Sequence, residues 1–335
     1  APAVPSGGDK IYRIAVIGCG ARAETFAKQL HGQHPRATLA GTCDIDIDRA
    51  ARFAEYCGLG NTPKFSRVED LLASPGLDAV MVTTPEFTHV DVSLAALAAG
   101  KHVYLEKPLA HTIEDCYRLM RTASKGGPVV YVGFNLRANP AYSVLKQIIH
   151  DGTIGKILHI SGLEQLHVAH GAAFMRRWHR RASRSGGLMN TKCCHDLDII
   201  QWLIGHEHKI VKLASFGGNN IFNSRPAPAP NCGSCPTNIK RACPYVDRAG
   251  FIFPVTGKQP IYKTQDAEIY GNDMCVYNAD KDIVDNQTVI MEWDHGVRGN
   301  FNLQLFQNQG LRETRVWGEL GQVIFRGDTK TIEVI

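Results

Sequence analysis

Residues 11–23 read IYRIAVIGCGARA, an apolar run that ends in two closely spaced glycines. Gly18, Gly20 and Ala23 fit the pattern G-x-G-x-x-A, and helix-forming residues follow. In this pattern the first glycine permits a tight turn, the second lets a pyrophosphate approach the backbone, and the third small residue lets helix and strand pack closely. The stretch therefore predicts a dinucleotide-binding loop, although any tight strand-to-helix turn selects similar residues. The loop residues expected to contact the cofactor are Gly18, Cys19, Gly20, Ala21 and Arg22.

Short apolar runs of strand length alternate with amphipathic stretches of helical length from this loop to about residue 133. Such alternation predicts a parallel sheet wound with crossover helices. We therefore expect an α/β fold whose first part, residues 1–138, is a Rossmann dinucleotide-binding domain. Its predicted strands are residues 11–17, 37–43, 79–83, 102–105 and 129–132, and its predicted helices are residues 24–33, 48–57, 89–99 and 113–124.

The pattern changes after residue 140, where strands dominate. Residues 139–335 are predicted to form an α+β domain on a largely antiparallel sheet, with Gly296 and Gly321 in two hairpin turns. The predicted helices are residues 142–150 and 195–204, and the predicted strands are residues 157–168, 211–216, 287–293, 298–305, 314–318 and 322–325. A polar, Pro-rich insertion spans about residues 217–265, and such a long insertion is usually a functional lid or an interface loop.

The composition excludes several classes of protein. The 335 residues are 44% hydrophobic and 21% charged, and no apolar run approaches the roughly 18 residues that span a bilayer. The net charge is only +5, despite an arginine cluster at residues 176–184, so neither a membrane nor a nucleic acid is an expected partner. Residues 1–10 lack the basic and apolar regions of a signal peptide, which favours a cytoplasmic protein; export after removal of an earlier segment stays open.

An acidic residue follows the second predicted strand. Asp44 lies about twenty residues beyond Ala23, where a carboxylate accepts hydrogen bonds from the hydroxyls of an adenine ribose. A carboxylate at this place repels a 2′-phosphate, so we expect NAD in preference to NADP. The alternative is that Asp44 only caps the helix predicted to begin near Asp46.

Three further segments complete a family resemblance. Residues 83–89 (TTPEFTH) and 105–109 (LEKPL) each follow a predicted strand, and residues 186–198 (GGLMNTKCCHDLD) lead into a predicted helix. With the glycine loop, these segments resemble the Gfo/Idh/MocA family of NAD(P)-dependent sugar and cyclitol oxidoreductases, whose motifs include E-K-P and G-G…D-x-x-x-H-x-x-D. The resemblance covers essentially the whole chain. It implies a small carbohydrate substrate and a homo-oligomer, either a dimer or a tetramer.

The resemblance also assigns roles to individual residues. Lys107 would lie between nicotinamide and substrate, where its ammonium stabilises the alkoxide that develops as hydride leaves. His195 would accept the hydroxyl proton as general base, and Glu106 would orient Lys107 and the cofactor. In addition to the glycine loop and Asp44, the implied cofactor contacts are Thr84, Pro85, His89, Glu106, Lys107 and Asn135.

The chain departs from the family pattern four residues before His195. Many family dehydrogenases have Asp there, whereas this chain has Thr191 followed by Lys192. Thr191 cannot be the partner that an Asp would be, which weakens the assignment to a simple polyol dehydrogenase. Lys192 either binds a polar or anionic group of the substrate or is a solvated lysine. Asp198, one helical turn beyond His195, either orients the imidazole or faces solvent.

Trp178 and His179 lie in a segment that combines an indole with several cations. Carbohydrate sites often pair an aromatic face with charged hydrogen-bond donors, so both residues are candidate substrate contacts. Packing at the surface or at a subunit interface is the alternative. The complete set of expected substrate contacts is Lys107, Trp178, His179, Thr191, Lys192 and His195.

Two rival functions stay open at this point. Some relatives are redox-neutral NAD-dependent glycoside hydrolases, which oxidise a sugar transiently, eliminate the glycosidic substituent, add water and return the hydride. A catalytically silent binding or regulatory protein is the second rival, and the presence of Glu106, Lys107 and His195 argues against it. We therefore expect an NAD-dependent oxidoreductase that acts on a CH–OH group of a sugar, sugar derivative or cyclitol.

Three of the ten cysteines cluster in the insertion. Cys232 and Cys235 have the C-x-x-C spacing of structural zinc sites, and Cys243 follows eight residues later. A zinc site normally has four ligands, and we expect Cys193, Cys194 or a histidine to supply the fourth. A disulfide fits an oxidising compartment equally well, and free thiols are the third alternative.

Overall fold

The computed structural model describes residues 10–30, 34–223, 226–246, 274–277 and 280–335. Parts of three predictions lie outside the described residues, namely residues 1–9 for the signal peptide, 31–33 for the first helix, and 224–225 and 247–265 for the insertion. The described residues form two compact units that divide between Gly133 and Phe134, whereas the sequence places the division at residue 138. We describe each unit by itself.

The first unit is built on a six-stranded parallel sheet. Its strands are β1 (Tyr12–Ile17), β2 (Ala37–Cys43), β3 (Lys64–Phe65), β4 (Ala79–Val82), β5 (His102–Leu105) and β6 (Val130–Val132). Its helices are α1 (Ala21–Leu30), α2 (Ile47–Tyr56), α3 (Val68–Leu72), α4 (His89–Ala98) and α5 (Ile113–Ala123). The strand order is β3-β2-β1-β4-β5-β6, so the loops after β1 and β4 meet where the order reverses. Open α/β sheets bind their ligands at this switch point.

Burial on both faces explains why the strands of this sheet are continuously apolar. Ala15 and Val16 are adjacent in β1, point to opposite faces and have no exposed surface. One core contains Val16 and Phe53 of α2, and the other contains Ala15 and Leu119 of α5. The predicted Rossmann fold is therefore confirmed.

The second unit is built on a seven-stranded sheet with the order β13-β12-β11-β7-β10-β9-β8. Its strands are β7 (Ile157–His167), β8 (Ile210–Gly218), β9 (Asn286–Trp293), β10 (Arg298–Gln307), β11 (Leu311–Gly318), β12 (Gln322–Arg326) and β13 (Thr331–Val334). Its helices are α6 (Pro140–His150), α7 (Val168–Arg176), α8 (Ala182–Ser185), α9 (Leu188–Thr191), α10 (Cys194–Ile204) and α11 (Thr237–Ala242). Among the described strands of this second sheet, only the pair β7 and β10 is parallel, and the other pairs are antiparallel. The predicted, largely antiparallel sheet is confirmed.

Helix α7 was not predicted, because the strand before it was expected to continue to residue 168. The structure ends the strand at His167, whose Nδ1 accepts a hydrogen bond from the backbone nitrogen of Ala169 at 3.2 Å. Histidine is not a common N-cap residue, so the sequence carries a weak signal for this helix. Gly171 lets α7 pack on β10, since a Cβ there would overlap the carbonyl of Leu305.

The interior of the second unit is well packed, whereas strand β8 at the edge of its sheet is exposed. Ile199 and Leu203 of α10 join the core of the unit, and the indole nitrogen of Trp293 donates to Oε1 of Gln201 at 3.0 Å. Strand β8, at the edge, exposes large apolar side chains, among them Leu213 (63%) and Phe216 (74%). No described helix has both the length and the apolar character needed to cross a membrane.

Candidate active site

The glycine loop joins β1 to α1, and its two glycines have different environments. Gly18 has a φ of +90°, which other residues adopt only with strain, and a Cβ there would lie 2.7 Å from the backbone nitrogen of Thr84. A Cβ on Gly20 would meet nothing within 4 Å, and its φ lies outside the left-handed region. Helix α1 begins at the next residue, Ala21. An anion can therefore approach the backbone of Gly20 and the N–H groups of the helix.

Asp44 ties the glycine loop to α2. Its Oδ2 accepts a hydrogen bond from the backbone nitrogen of Cys19 at 2.9 Å, and its Oδ1 accepts from Nη2 of Arg49 at 2.6 Å. Both charged side chains are buried, with 8% of Asp44 and 5% of Arg49 exposed. Helix α2 is capped by Asp46, which accepts from the backbone nitrogens of Asp48 and Arg49, so capping by Asp44 is wrong.

His89 connects the loops that follow β4 and β5. Its Nε2 lies 2.9 Å from the carbonyl oxygen of Thr84, and its Nδ1 lies 2.8 Å from that of Pro108. The side chain is 1% exposed, and burial lowers the pKa of its imidazole while Glu86 opposes that shift. His89 therefore positions the two loops through their backbone, and Pro85 begins the 3₁₀ turn between them.

Glu106 organises the segment that carries Lys107. Its Oε2 accepts from the backbone nitrogen of Lys107 at 3.1 Å, and its Oε1 accepts from Nε of Arg22 at 2.8 Å. The carboxylate is 5% exposed, whereas Lys107 is half-buried and is joined to Pro108 by a cis peptide bond. A Cβ on Gly133 would lie 2.6 Å from the hydroxyl of Tyr104 and 3.3 Å from the same Oε1, so a larger residue there would crowd both side chains. Arg22 thus contacts Glu106, a partner that the sequence did not predict.

The first unit fits a dinucleotide. A backbone open to an anion stands at Gly20, a helix begins beside it, and a buried carboxylate stands at the end of β2. These are the three parts that the dinucleotide-binding pattern requires. The residues present are therefore compatible with NAD.

His195 lies in the first turn of α10 in the second unit and is 8% exposed. The ring of Phe134 meets its imidazole edge-on, with 6.3 Å between centroids. Both oxygens of Asp198 accept from Arg137, at 2.8 Å from Nε and 2.5 Å from Nη2. This bidentate pair anchors α10 to the 3₁₀ turn Asn135–Ala138, which begins with the predicted cofactor contact Asn135.

Lys192 belongs to a buried network of four charges. Its Nζ lies 2.7 Å from Oε1 of Glu164, whose Oε2 lies 2.8 Å from Nε of Arg312. Arg312 also contacts Oδ1 of Asp196 at 2.7 Å. Burial raises the pKa of Glu164 while Lys192 and Arg312 oppose the shift, and the pKa of Arg312 is raised by the two carboxylates. Lys192 is therefore neither a solvated lysine nor an isolated cation, and the neighbouring Thr191 is only 2% exposed.

Trp178 and His179 form a stacked aromatic pair in the 3₁₀ turn after α7. Their ring centroids are 4.1 Å apart with an interplanar angle of 29°. Phe174 meets the other side of the His179 ring edge-on at 4.9 Å. Both rings are half-buried, so an aromatic face of the kind that binds carbohydrate is present.

The arginine cluster serves the fold of the second unit. Arg176 and Arg180 are 5% and 2% exposed. Arg180 donates to Oδ2 of Asp280 from Nη2 at 2.9 Å, and Arg181 also pairs with Asp280. Arg176 donates to the carbonyl oxygen of Met274 at 2.9 Å. These cations are committed to intramolecular contacts.

A cavity of about 590 Å³ opens in the second unit and was not predicted. Glu164 and Arg312 of the charge network line it, together with Tyr142, His167 and His170. No residue that the sequence assigns to substrate binding is among its described lining residues. Lys192, a predicted substrate contact, pairs with Glu164 of this lining.

Two models of one protein family match almost the whole chain. A model described as "Oxidoreductase family, NAD-binding Rossmann fold" matches residues 12–134. A second, described as "Oxidoreductase family, C-terminal alpha/beta domain", matches residues 146–334. The chain belongs to the Gfo/Idh/MocA oxidoreductase family. The motifs that carried the resemblance are thus those of the family itself.

Relatives of this Gfo/Idh/MocA protein include cyclitol dehydrogenases. It is 33% identical over 196 residues to scyllo-inositol 2-dehydrogenase (NAD(+)) from Bacillus subtilis, a match that covers 58% of this chain and 54% of that protein. It is 35% identical over 198 residues to inositol 2-dehydrogenase 2 of Saccharopolyspora erythraea, again covering 58% and 54%. The chain thus matches about half the length of these curated relatives. They are dehydrogenases and lend no support to the glycosidase alternative.

One solved structure with the same fold is that of a dehydrogenase. The WlbA dehydrogenase from Bordetella pertussis, crystallised with NADH and UDP-GlcNAcA, superposes with a TM-score of 0.72 at 19% identity. The superposition covers 97% of this Gfo/Idh/MocA chain and 82% of that one. At this identity, the likeness shows the fold alone.

Arg49, Glu164 and Arg312 were not predicted from the sequence, because the role of each depends on an ion pair with a residue elsewhere in the chain. Arg49 lies five residues from Asp44, and an arginine soon after an acidic residue was the one available signal. Arg312 lies 116 residues from Asp196, and no local pattern connects them.

Proposed function

We propose that the protein oxidises a ring hydroxyl of a cyclitol, sugar or sugar derivative with NAD. The observation that carries the proposal is the set of loops in the first unit, in which an open Gly20, a buried Asp44 and a fixed Glu106–Lys107 segment follow strands β1, β2 and β5 of one parallel sheet. The inositol dehydrogenases among the relatives support the substrate class.

Asp44 is proposed to select NAD over NADP. One carboxylate oxygen accepts a hydrogen bond from the backbone nitrogen of Cys19, and the other accepts from the guanidinium of Arg49. These two contacts hold the carboxylate rigidly at the end of β2. A ribose hydroxyl can donate to such a carboxylate, whereas a 2′-phosphate would be repelled by it. Bound NAD would supply the hydride acceptor.

Lys107 is proposed to stabilise negative charge on the substrate oxygen. The residue is half-buried, and its backbone is fixed by the carboxylate of Glu106. A positioned ammonium stabilises an alkoxide most strongly where water is excluded. The pairing of Glu106 with Arg22 keeps this carboxylate in place, so Glu106 and Arg22 act as positioning residues.

His195 is proposed to exchange the hydroxyl proton. Imidazole titrates near neutral pH and can accept a proton without a large change in pH. The bidentate Arg137–Asp198 pair holds the helix that carries it. The Trp178–His179 face is proposed to contact the carbohydrate ring, and the Lys192–Glu164 pair to hold a polar substituent.

Self-association is proposed for the second unit. Strand β8 lies at the edge of the sheet and exposes Leu213 and Phe216, together with Ile210 and Val211. An apolar patch of this kind is unusual on a monomer. A second copy of the chain that covers β8 would form a homo-oligomer, and sedimentation tests this directly.

The experiment is a screen for NADH absorbance with inositols, free sugars and nucleotide sugars. We expect turnover with NAD and little with NADP. Lys107→Ala and His195→Ala should each lower kcat by at least about a hundredfold, the usual contribution of a charge stabiliser or an acid–base group. Lys125→Ala and His150→Ala remove the same residue types from exposed positions and serve as matched controls.

Two results would overturn the proposal. Wild-type turnover by the Lys107→Ala, His195→Ala double variant would remove both residues from the mechanism. Product formation from a glycoside without accumulation of NADH would instead identify redox-neutral hydrolysis. Retained NAD binding in inactive variants, measured by calorimetry, would show that the fold is intact.

A further inference from the structure

Four cysteines of the second unit line one small cavity. They are Cys232, Cys235, Cys243 and Cys275, and the cavity has a volume of about 20 Å³. The structure places none of the four in a disulfide among the described residues. A space of this size accommodates a group as large as one water molecule. It therefore has room for a single ion and not for a polynuclear cluster.

The backbone explains how Cys275 reaches the other three. Met274 forms an isolated antiparallel bridge with Asn231. The backbone nitrogen of Cys275 donates to the carbonyl oxygen of Pro230 at 3.0 Å. These contacts place Cys275 directly beside the C-x-x-C turn, although it lies far along the chain. The third thiol, Cys243, immediately follows α11.

The C-x-x-C turn is itself closed by side-chain hydrogen bonds. Oδ1 of Asn231 accepts from the backbone nitrogen of Ser234 at 2.8 Å and from its hydroxyl at 2.9 Å. The turn therefore brings Cys232 and Cys235 to the same side of the loop, as in structural sites with ligands two residues apart.

A buried cation stands beside the thiols. Arg176 is 5% exposed, and its Nη2 lies 3.7 Å from Sγ of Cys232. The same guanidinium donates to the carbonyl oxygens of Met274 and Tyr245. A divalent ion with four thiolates carries a net charge of −2, which a neighbouring buried cation stabilises. The guanidinium thus provides a positive charge beside the proposed anionic site.

We propose that Cys232, Cys235, Cys243 and Cys275 bind one structural Zn²⁺ ion. Four sulfur ligands with a C-x-x-C pair are the usual tetrahedral zinc set. On binding, each thiol loses its proton to solvent and donates a sulfur lone pair, so no oxidant or reductant is required. Cys275 is the proposed fourth ligand because it lines the cavity with the other three thiols. Cys193, one of the residues expected in that role, lies in the apolar core with no exposed surface.

A second cluster of ligand atoms makes a useful comparison. Among the described residues, only His208, Asp294 and His295 have three ligand atoms within 4.8 Å of one another. They lie at a hairpin on the surface, where such groups are common without an ion. No three of the four thiols lie that close together in this structure, so zinc binding requires their sulfurs to approach one another across the cavity that they line.

The proposed ion would connect the insertion to the candidate substrate face. Arg176 is the last residue of α7 and contacts Met274, which adjoins a proposed ligand. Trp178 follows two residues later. Loss of zinc should therefore loosen residues 226–246 and the aromatic pair of the second unit, while the Rossmann unit keeps its ability to bind NAD.

The test is the metal content of the full chain, purified without chelator and measured by native mass spectrometry and elemental analysis. We expect one zinc ion per chain. Cys275→Ser should lower the zinc content about tenfold or more, because the remaining three thiols leave the tetrahedral set incomplete. Cys116→Ser, which alters a half-buried cysteine of the Rossmann unit, is the matched control and should keep its zinc.

A second measurement protects the test against a variant that fails to fold. Alkylation of the wild-type chain before and after chelation, read by peptide mass, should show four cysteines that are protected only while zinc is bound. A disulfide between Cys232 and Cys235, iron with visible absorbance, or a metal-free chain with reactive thiols would each overturn the proposal. Full zinc content in Cys275→Ser would refute Cys275 as the fourth ligand.

Discussion

Alanine substitutions in the glycine loop should separate the loop's effect on stability from its effect on cofactor binding, because Gly18 and Gly20 have different surroundings. Gly18→Ala places a Cβ 2.7 Å from the backbone nitrogen of Thr84 and 2.8 Å from the carbonyl carbon of Thr83. Backbone atoms cannot swing aside as a flexible side chain does. The variant must therefore separate the loops after β1 and β4 or leave its φ of +90°.

The cost of Gly18→Ala follows from these two effects. A left-handed backbone costs a residue with a Cβ about 1–2 kcal/mol, and overpacking costs about 1–3 kcal/mol. The free energy of unfolding of the first unit should thus fall by roughly 2–5 kcal/mol. At about 4 °C per kcal/mol, the Tm falls by roughly 8–20 °C. The variant should also bind NAD more weakly, since the loop is displaced.

Gly20→Ala should weaken NAD binding with little effect on stability. Nothing lies within 4 Å of the added Cβ, and the backbone there is not left-handed. Stability should change little or rise by about 0.4–1 kcal/mol, as for glycine-to-alanine changes at compatible sites. NAD affinity should nevertheless fall at least about tenfold, or about 1.4 kcal/mol, because the methyl group occupies the approach to the pyrophosphate.

Differential scanning calorimetry and isothermal titration with NAD measure the two quantities on the same samples. A wild-type Tm for Gly18→Ala would show that the close approach of Gly18 to the backbone of Thr84 does not constrain the loop. Gly20→Ala with wild-type NAD affinity would show that the cofactor does not approach the backbone there. Either result refutes the stated role of that glycine.

Two further predictions concern buried charges. Glu164→Gln should lower the free energy of unfolding by about 3–5 kcal/mol, because it leaves Lys192 without its buried partner; Glu292→Gln, whose carboxylate also contacts two cations but at the exposed surface, should change urea unfolding little. Equal effects of the two variants would contradict the role of burial. Burial lowers the pKa of His89 below 6.5, so the unfolded chain binds the proton first and stability is lost as pH falls through 6.5. Tm measured against pH should therefore fall less steeply in His89→Gln, and identical slopes would show that His89 does not contribute.

The first unit could be predicted well from sequence because its signals are local. Strands β2 and β5 were predicted with the bounds that the structure shows, since each is an apolar run between turns. Two short elements, β3 and α3, were missed. A two-residue strand is too short to show an alternating hydrophobic pattern, and a five-residue helix is hardly long enough to show a helical one.

The residues that surround the candidate site were harder to predict. Asp44 was predicted either to accept from the ribose of the cofactor or to cap α2, and neither prediction included its hydrogen bonds to Cys19 and Arg49. Arg22 was expected to contact the cofactor, and the structure adds a partner that was not predicted, Glu106, 84 residues away. A motif identifies the residue that is needed, but the partner that holds it in place is set by the topology of the sheet.

Lys192 shows the same limit in the second unit. The sequence offered two interpretations, a solvated lysine or a cation facing the substrate, because only its neighbours along the chain were visible. The structure adds Glu164 from β7 at 2.7 Å, and Arg312 from β11 shares that carboxylate. The charge of Lys192 is thus largely balanced before any substrate arrives. An anionic substrate would have to compete with Glu164, whereas a neutral polyol could accept a hydrogen bond from the ammonium without separating the pair. With Lys192 in its proposed role, we expect uncharged cyclitols and sugars to react faster than carboxylated ones, and the relative rates with inositols and with sugar acids measure that preference.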